Sequence, residues 1–235
     1  MKLTERFNPF RADADPLSAY LADFRIEVDY FTHWPQQDFK TLQNLVSTRI
    51  KLVLQTQGRA DLTAQNEHFL LAPGSVMFIP PYCVYSASTF DHVDSYEIFF
   101  NLHPYAREHG FLQQFGFTRI LHFPQILTPA DTAALMSCYE DVRACRPGCY
   151  AQLRALLHLL LIRLIRLQNT TALPAENSSR EQYVISRLFE YLEAHLNQPV
   201  HVDQLCAALH VSQSHLYRCS RHVMNCSTQQ LVIRY

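Results

Sequence analysis

The sequence predicts an α+β chain in three parts: a barrel of short strands, an antiparallel helix hairpin, and an all-α segment built around a helix-turn-helix. Three observations carry this. Short β-prone runs punctuated by Gly and Pro fill residues 50–102. From Thr128 the apolar spacing becomes three and four. Near the end, Val202-Asp203-Gln204-Leu205-Cys206-Ala207-Ala208-Leu209-His210-Val211-Ser212-Gln213-Ser214-His215-Leu216-Tyr217-Arg218 reads as a short helix, a tight turn and a second helix. Such a pair can lay its second helix in the DNA major groove.

Taken in order, Met1 to about Leu45 reads as an arm and lead-in, polar and broken by Pro9, Pro16 and Pro35. The strand signals follow: Ile50–Leu54, the alternating Ala60–Ala64, His68–Leu71 leading into Pro73-Gly74, Val76–Ile79 ending at Pro80-Pro81, and Ser95–Phe100. Thr128-Pro129-Ala130-Asp131 opens a helix, with Thr at the cap and Pro just inside. It runs to about Ala144, where Arg146-Pro147-Gly148 breaks it. The next helix, Tyr150 to about Gln168, repeats Leu153, Leu156, Leu157, Leu160, Leu164 and Leu167 as an apolar stripe. Asn169–Ser179 is polar and aperiodic, a linker. Ser178 with Glu181 fits a capping box for a helix bearing Ile185, Leu188, Phe189, Leu192 and Leu196 on one face. The expected units are therefore 1–125 (arm and barrel), 126–168 (hairpin), 169–179 (linker) and 180–235 (helix-turn-helix segment).

Composition narrows the class. Hydrophobic residues make up 48% of the chain and charged residues 17%, enough apolar content for a real core. The net charge is −1, so any contact with nucleic acid must be local. From Ser178 onward five arginines face four acids, a weakly basic balance. The start lacks an apolar signal core, and Leu153–Leu167 is interrupted by Arg154, His158, Arg163 and Arg166. A cytoplasmic protein with no membrane association is expected. The 7 cysteines have no paired C-x-x-C spacing and read as reduced thiols. Among them Cys138, Cys145 and Cys149 form one cluster, and Cys145 and Cys149 flank a turn that could bring them together.

The C-terminal part resembles the AraC type of bacterial transcription regulators. Phe189-Glu190-Tyr191-Leu192-Glu193-Ala194-His195-Leu196 is similar to the phrase that closes that family's first reading-domain helix. Ser212-Gln213-Ser214-His215-Leu216-Tyr217-Arg218-Cys219-Ser220-Arg221 is similar to its S-x-x-x-L-x-R-x-F-K recognition helix. Ala72-Pro73-Gly74-Ser75-Val76-Met77-Phe78-Ile79-Pro80-Pro81 looks like a strand of the cupin-like sensor barrel found in the same family. The order of barrel, hairpin, linker and reading unit also matches. The resemblance implies a cupin-like N-terminal barrel that senses an effector, with DNA as partner. Three departures stand out. Ser220 replaces a buried Phe, which should weaken packing of the recognition helix. His210 and Asn225 stand where Gly is usual. Of the family's two helix-turn-helix units only the first is expected in this chain, with Ser227–Tyr235 as the opening of the connecting helix.

Site residues follow from chemistry. Ser212 can cap the recognition helix, pointing Gln213, Ser214 and Tyr217 outward with Arg218 beside them. Gln and Arg read adenine and guanine edges bidentately, and Arg221 and Arg187 could reach phosphates. Leu209, Val211 and Leu216 face inward. For the barrel, the expected effector pocket uses Arg49 and Lys51 at the first strand, Tyr85, and the alternating Tyr96, Ile98 and Phe100. Aromatic walls with one or two polar groups suit a sugar, an aromatic acid or a fatty acyl group; alternatively, those aromatics simply fill the barrel. Leu153, Leu156, Leu157, Leu160 and Leu164 could pack on the barrel or on a second subunit, and a homodimer is the expected state. No H-x-H pair with a later His is arranged for metal, and Tyr85 sits where that His would be. Neither a metal nor a cofactor is expected, and no enzymatic motif is present. The leading reading is an effector-responsive regulator of double-stranded DNA. The alternative is a truncated interaction module or antagonist that dimerises without binding DNA productively.

Overall fold

The computed structural model describes residues 17–18, 21, 24–37, 41–64, 67–81, 83–168, 180–195, 198–224, 227–229 and 232. The linker 169–179, the Ser178 cap, Leu196, Asn225 and Cys226 lie outside them. The strands form two antiparallel sheets, a mixed α+β arrangement. One has five strands in the order β1 (Arg25–Gln37), β8 (Val93–His103), β3 (Ile50–Gln57), β6 (Val76–Ile79), β9 (Leu121–Phe123). The other has four, in the order β2 (Thr41–Val46), β7 (Val84–Thr89), β4 (Ala60–Ala64), β5 (Glu67–Leu71). The expected barrel is thus a two-sheet sandwich.

The lead-in expectation needs correction: residues 25–37 form β1 and residues 41–46 form β2. β1 pairs with β8 from Arg25↔His103 to Gln37↔Val93, with a register shift between Val28 and Tyr30. Ile26 and Val28 alternate toward the core before the shift; after it Tyr30 is 64% exposed and Phe31 packs inward. A bulge that changes phase in mid-strand hides the period-two pattern from sequence reading.

The five-stranded sheet is covered on both faces, which explains the unbroken run Ile50–Gln55 in which every side chain is buried. Leu52, Leu54, Phe78, Ile98 and Phe100 face three helices. These are α1 (Tyr105–Gln114), α2 (Pro129–Arg143) and α3 (Cys149–Gln168). Val53, Met77, Ile79 and Val93 face the other sheet. The sequence reading leaves β7, α1 and β9 unassigned. Phe111, Leu112, Phe115 and Phe117 bury the α1 segment in the helix-side core.

α2 begins as expected. Thr128 Oγ1 accepts from the Asp131 amide at 3.2 Å, and the Thr128 amide donates to Asp131 Oδ2 at 2.8 Å. Arg163 of α3 then clasps the same carboxylate with two N–H bonds, 2.7 and 3.1 Å, and donates to the Ile126 carbonyl at 3.1 Å. The Arg163 hydrogen bonds, with those from Thr128, hold the Asp131 carboxyl down at about 2.

The α3 stripe settles inside its own subunit. Leu153, Leu157, Leu160 and Leu164 are buried in the helix-side core, and Leu156 packs against it. This corrects the dimerisation expectation for these leucines: their apolar area is already removed from water within the chain. The outward side of α3 instead exposes Ala155 and Leu159, the latter 67% exposed.

A second core joins α4 (Arg180–Ala194), α5 (Val202–Leu209) and α6 (Gln213–Met224) around Val184, Ile185, Leu188, Leu192, Leu205, Leu216 and Cys219. α4 also packs on α1, which ties this unit to the sandwich. α5 ends at His210 in the left-handed region, φ 54° and ψ 42°, where the Val211 amide donates back to the Cys206 carbonyl at 3.1 Å. Histidine therefore takes the conformation usually given to Gly. Ser212 caps α6 by accepting from the His215 amide at 3.2 Å. No helix among the described residues is long and apolar enough to cross a membrane.

Candidate functional site

A cavity of about 410 Å³ lies between the two sheets. Most of its wall is apolar, with Val53, Leu62, Leu71, Ala87 and Val93 contributing. A buried charged group interrupts it. Lys51 Nζ lies 2.8 Å from Glu97 Oε1 and donates to the Tyr85 hydroxyl at 3.0 Å. The ammonium also sits 5.0 Å from the Phe99 ring centre and 5.4 Å from that of Tyr85. Burial by itself would lower the Lys51 pKa, but Glu97 and Tyr85 outweigh it and hold the ammonium above its ordinary value.

Strand register builds this group. Lys51 follows Ile50 on β3 and so faces the opposite side of the sheet. The β3–β8 ladder sets Lys51 against Phe99 and Val53 against Glu97, so the two charges are diagonal neighbours on one face. Tyr85 reaches across from β7 of the facing sheet.

The predicted pocket residues divide. Lys51 and Tyr85 line the cavity. Arg49 does not; it pairs with Asp29 near the surface. Tyr96, Ile98 and Phe100 lie on the helix-facing side of β8, a correction of one residue in phase: Ser95, Glu97 and Phe99 are the cavity-facing set. Tyr96 instead stacks on His33 at 4.4 Å and meets Tyr139 edge-on at 5.6 Å, and burial pushes its phenol up to about 12. Sequence reasoning missed Gln55, Glu97 and Phe99. A signal existed: Lys51 and Glu97 are charges of opposite sign, each set in an apolar strand run.

At the other end of the molecule, Gln213, Ser214, Arg218 and Arg221 are exposed on α6, and Tyr217 is half-buried. Arg187 is exposed on α4. Leu216 is fully buried, with Leu209 and Val211 packed against the same core. Some of the outward groups are already engaged. The Gln213 amide donates to Asp203 of α5. Arg218 donates to His215 Nδ1 at 2.9 Å and lies 3.6 Å from Glu181 of α4. Glu181 also accepts from His222, and this bond, more than any other influence, holds its carboxyl below the usual range. Ser220 is fully buried and shares a 2.8 Å hydrogen bond with the equally buried Thr228. A satisfied polar pair thus occupies the position expected to lack a core aromatic.

Cys138, Cys145 and Cys149 lie outside the cavity lining and the α4–α6 core. Cys138 is a buried free thiol of the helix-side core, Cys149 is buried at the start of α3, and Cys145 is exposed just past α2. Burial, with Asp141 and Cys149 nearby, pushes the Cys138 thiol up.

No protein-family model matches the sequence, and no curated protein matches it. Solved structures of ToxT from Vibrio cholerae do match the fold. The apo form of a lysine-to-alanine ToxT variant aligns with a TM-score of 0.59 at 9% identity, covering 89% of this chain and 78% of that one. ToxT bound to (E)-4-(8-methylnaphthalen-1-yl)but-3-enoic acid aligns at 0.54 and 13% identity, covering 89% and 79%. ToxT bound to an unsaturated fatty acid aligns at 0.53 and 10% identity, covering 89% and 76%. With two antiparallel sheets packed face to face and helices laid on one of them, this chain has the fold of ToxT.

Proposed function

We propose that this chain is an effector-responsive, DNA-binding transcription regulator. One observation carries the reading: a mostly apolar cavity with a buried charged pair in its wall shares a chain with a capped helix pair whose second helix exposes Gln213, Ser214, Arg218 and Arg221. In this reading 1–125 senses, 126–168 braces the sensor, 169–179 links, and 180–235 reads DNA as a helix-turn-helix. ToxT holds an unsaturated fatty acid in one solved structure. A ligand with a sizeable apolar body suits the cavity of this chain, which falls in the usual range of about 300–1,000 Å³ for small-molecule sites.

Coupling has a physical route. Glu97 sits on β8, and β8 runs directly into α1, where the Leu102 amide donates to Glu108 at 2.6 Å. α1 packs on α4, and α4 carries Glu181 against Arg218. A ligand that repositions β8 would bias how α4 and α6 present their side chains. α6 would enter the major groove, with Gln213 and Arg218 reading base edges and Arg221 meeting phosphate. Paired half-sites would require a dimer. The outward Leu159 of α3, with the small Ala155 one turn before it, suits that contact better than the five leucines of the buried stripe.

The competing reading, an interaction module without productive DNA binding, draws support from the engagement of Arg218 by Glu181 and of Gln213 by Asp203. Selection of duplexes from a randomised pool by the full chain, followed by a salt series on the winners, separates the two. The regulator reading expects a shared sequence motif and affinity that falls steeply with salt. A pool that stays random after repeated rounds sinks it.

A further inference from the structure

We infer that the cavity takes a neutral amphipathic ligand, an apolar body bearing a hydroxyl or carbonyl head, and rejects a free carboxylate. The inference rests on reading the cavity as the effector site. Its basis is the charge state of the wall. Among the described residues Lys51 is the one cation lining the cavity, and Glu97 already neutralises it at 2.8 Å. The other acid at the wall, Asp61, leans toward His68 at 3.8 Å and adds no positive charge. A ligand carboxylate at the buried Lys51 would place two carboxylates on one ammonium, where like charges repel strongly and the second is disfavoured in its ionised form.

The same group is well shaped for an uncharged head. The Lys51 ammonium has three N–H donors, and Glu97 and Tyr85 take two. The Tyr85 oxygen accepts from Lys51 and so keeps its own proton to donate. A ligand hydroxyl or carbonyl can therefore accept from both, and a hydroxyl can donate to Glu97 in return. Phe99, Val53, Leu62 and Leu71 offer the apolar body its surface.

The test uses two matched pairs of probes at about pH 8, where both acids are ionised: 1-decanol with decanoate, and 1-naphthalenemethanol with 1-naphthoate. Each is titrated calorimetrically into the full chain. At least one alcohol is expected to bind saturably, about tenfold or more tighter than its carboxylate partner. In Glu97→Gln the difference should vanish or reverse, because the ligand then supplies the missing counter-charge. The double variant Lys51→Met/Glu97→Gln, which removes both charges and so does not depend on Glu97→Gln folding, should weaken the alcohol, whose head loses the ammonium donor, and gain nothing for the carboxylate. A wild-type protein that binds carboxylate as tightly as alcohol overturns the inference and leaves the effector cavity standing. A gain for carboxylate in the double variant also overturns it. If no probe binds, the cavity reading falls and takes the inference with it.

Discussion

Removing either member of the Lys51–Glu97 pair should cost far more than removing both. Lys51 is 5% exposed and the pair is held at 2.8 Å beneath the Phe99 and Tyr85 rings. Lys51→Met leaves Glu97 as an unpaired, largely buried carboxylate; Glu97→Gln leaves the ammonium with neutral acceptors and no counter-charge. Breaking a buried pair in this way costs about 3–5 kcal/mol. Replacing both charges removes the desolvation penalty together with the attraction, and Lys51→Met/Glu97→Gln should lie within about 1 kcal/mol of the wild type or above it. At about 2–4 °C per kcal/mol for a chain of this size, each single variant should melt about 6–20 °C lower, and the double variant close to the wild type. Thermal denaturation of the four proteins by circular dichroism gives the coupling energy directly. Single variants that each lose under about 1 kcal/mol, or losses that simply add in the double variant, would show that water screens the pair despite its burial.

The Asp131 clasp gives a pH signature. Its carboxyl is held at about 2 by Arg163 and Thr128, below an unfolded value of about 3.9, so its stabilisation is complete above about pH 4 and is lost as pH falls toward 2. Asp131→Asn should therefore cost about 1.5–3 kcal/mol at neutral pH, and the gap from the wild type in urea denaturation should close over that acid range; a gap independent of pH would point to lost geometry alone. Leu157→Ala should cost about 2–5 kcal/mol, since Leu157 is fully buried, whereas Leu159→Arg should change stability by less than about 0.5 kcal/mol while lowering the mass seen by light scattering if subunits pair there. The reverse pattern would restore the stripe to the subunit interface. Glu181→Gln frees Arg218 from its carboxylate neighbour and should tighten binding to a selected duplex about two- to fivefold at low salt; weaker binding would make Glu181 a positioning residue for Arg218 instead.

Much of the architecture is legible because local rules act alone there. The start of α2 can be read from Thr128-Pro129-Ala130-Asp131, since a cap and its box need only four neighbouring residues. The start of α6 follows from the Ser212 cap, whereas His210 at the left-handed position is legible only from the family resemblance, which puts Gly there. β1 is illegible because a bulge between Val28 and Tyr30 breaks its alternation. α1 is illegible because Gly110 interrupts it, and its apolar residues become a face only when Phe111, Leu112 and Phe115 meet the sheet.

The candidate site shows the same division within single strands. Period and propensity are enough to place Lys51 and Tyr85 in the strand-rich region and to set Gln213, Ser214 and Arg218 on the outward side of a capped helix, though not to show that Tyr217, expected beside them, is half-buried. They are also enough to give α3 its apolar stripe. Such statements concern one element at a time, and each element carries its own repeat. Which face each element buries was left to packing. Both faces of β8 are partly apolar, so the alternation Tyr96, Ile98, Phe100 is as good a cavity wall on paper as Ser95, Glu97, Phe99. The ladder to β3 and the helices on the far face choose between them. The stripe of α3 likewise could serve a barrel or a partner until the sheet claims it. A strand or helix fixes its own periodicity, but the assignment of a face is a property of what packs against it.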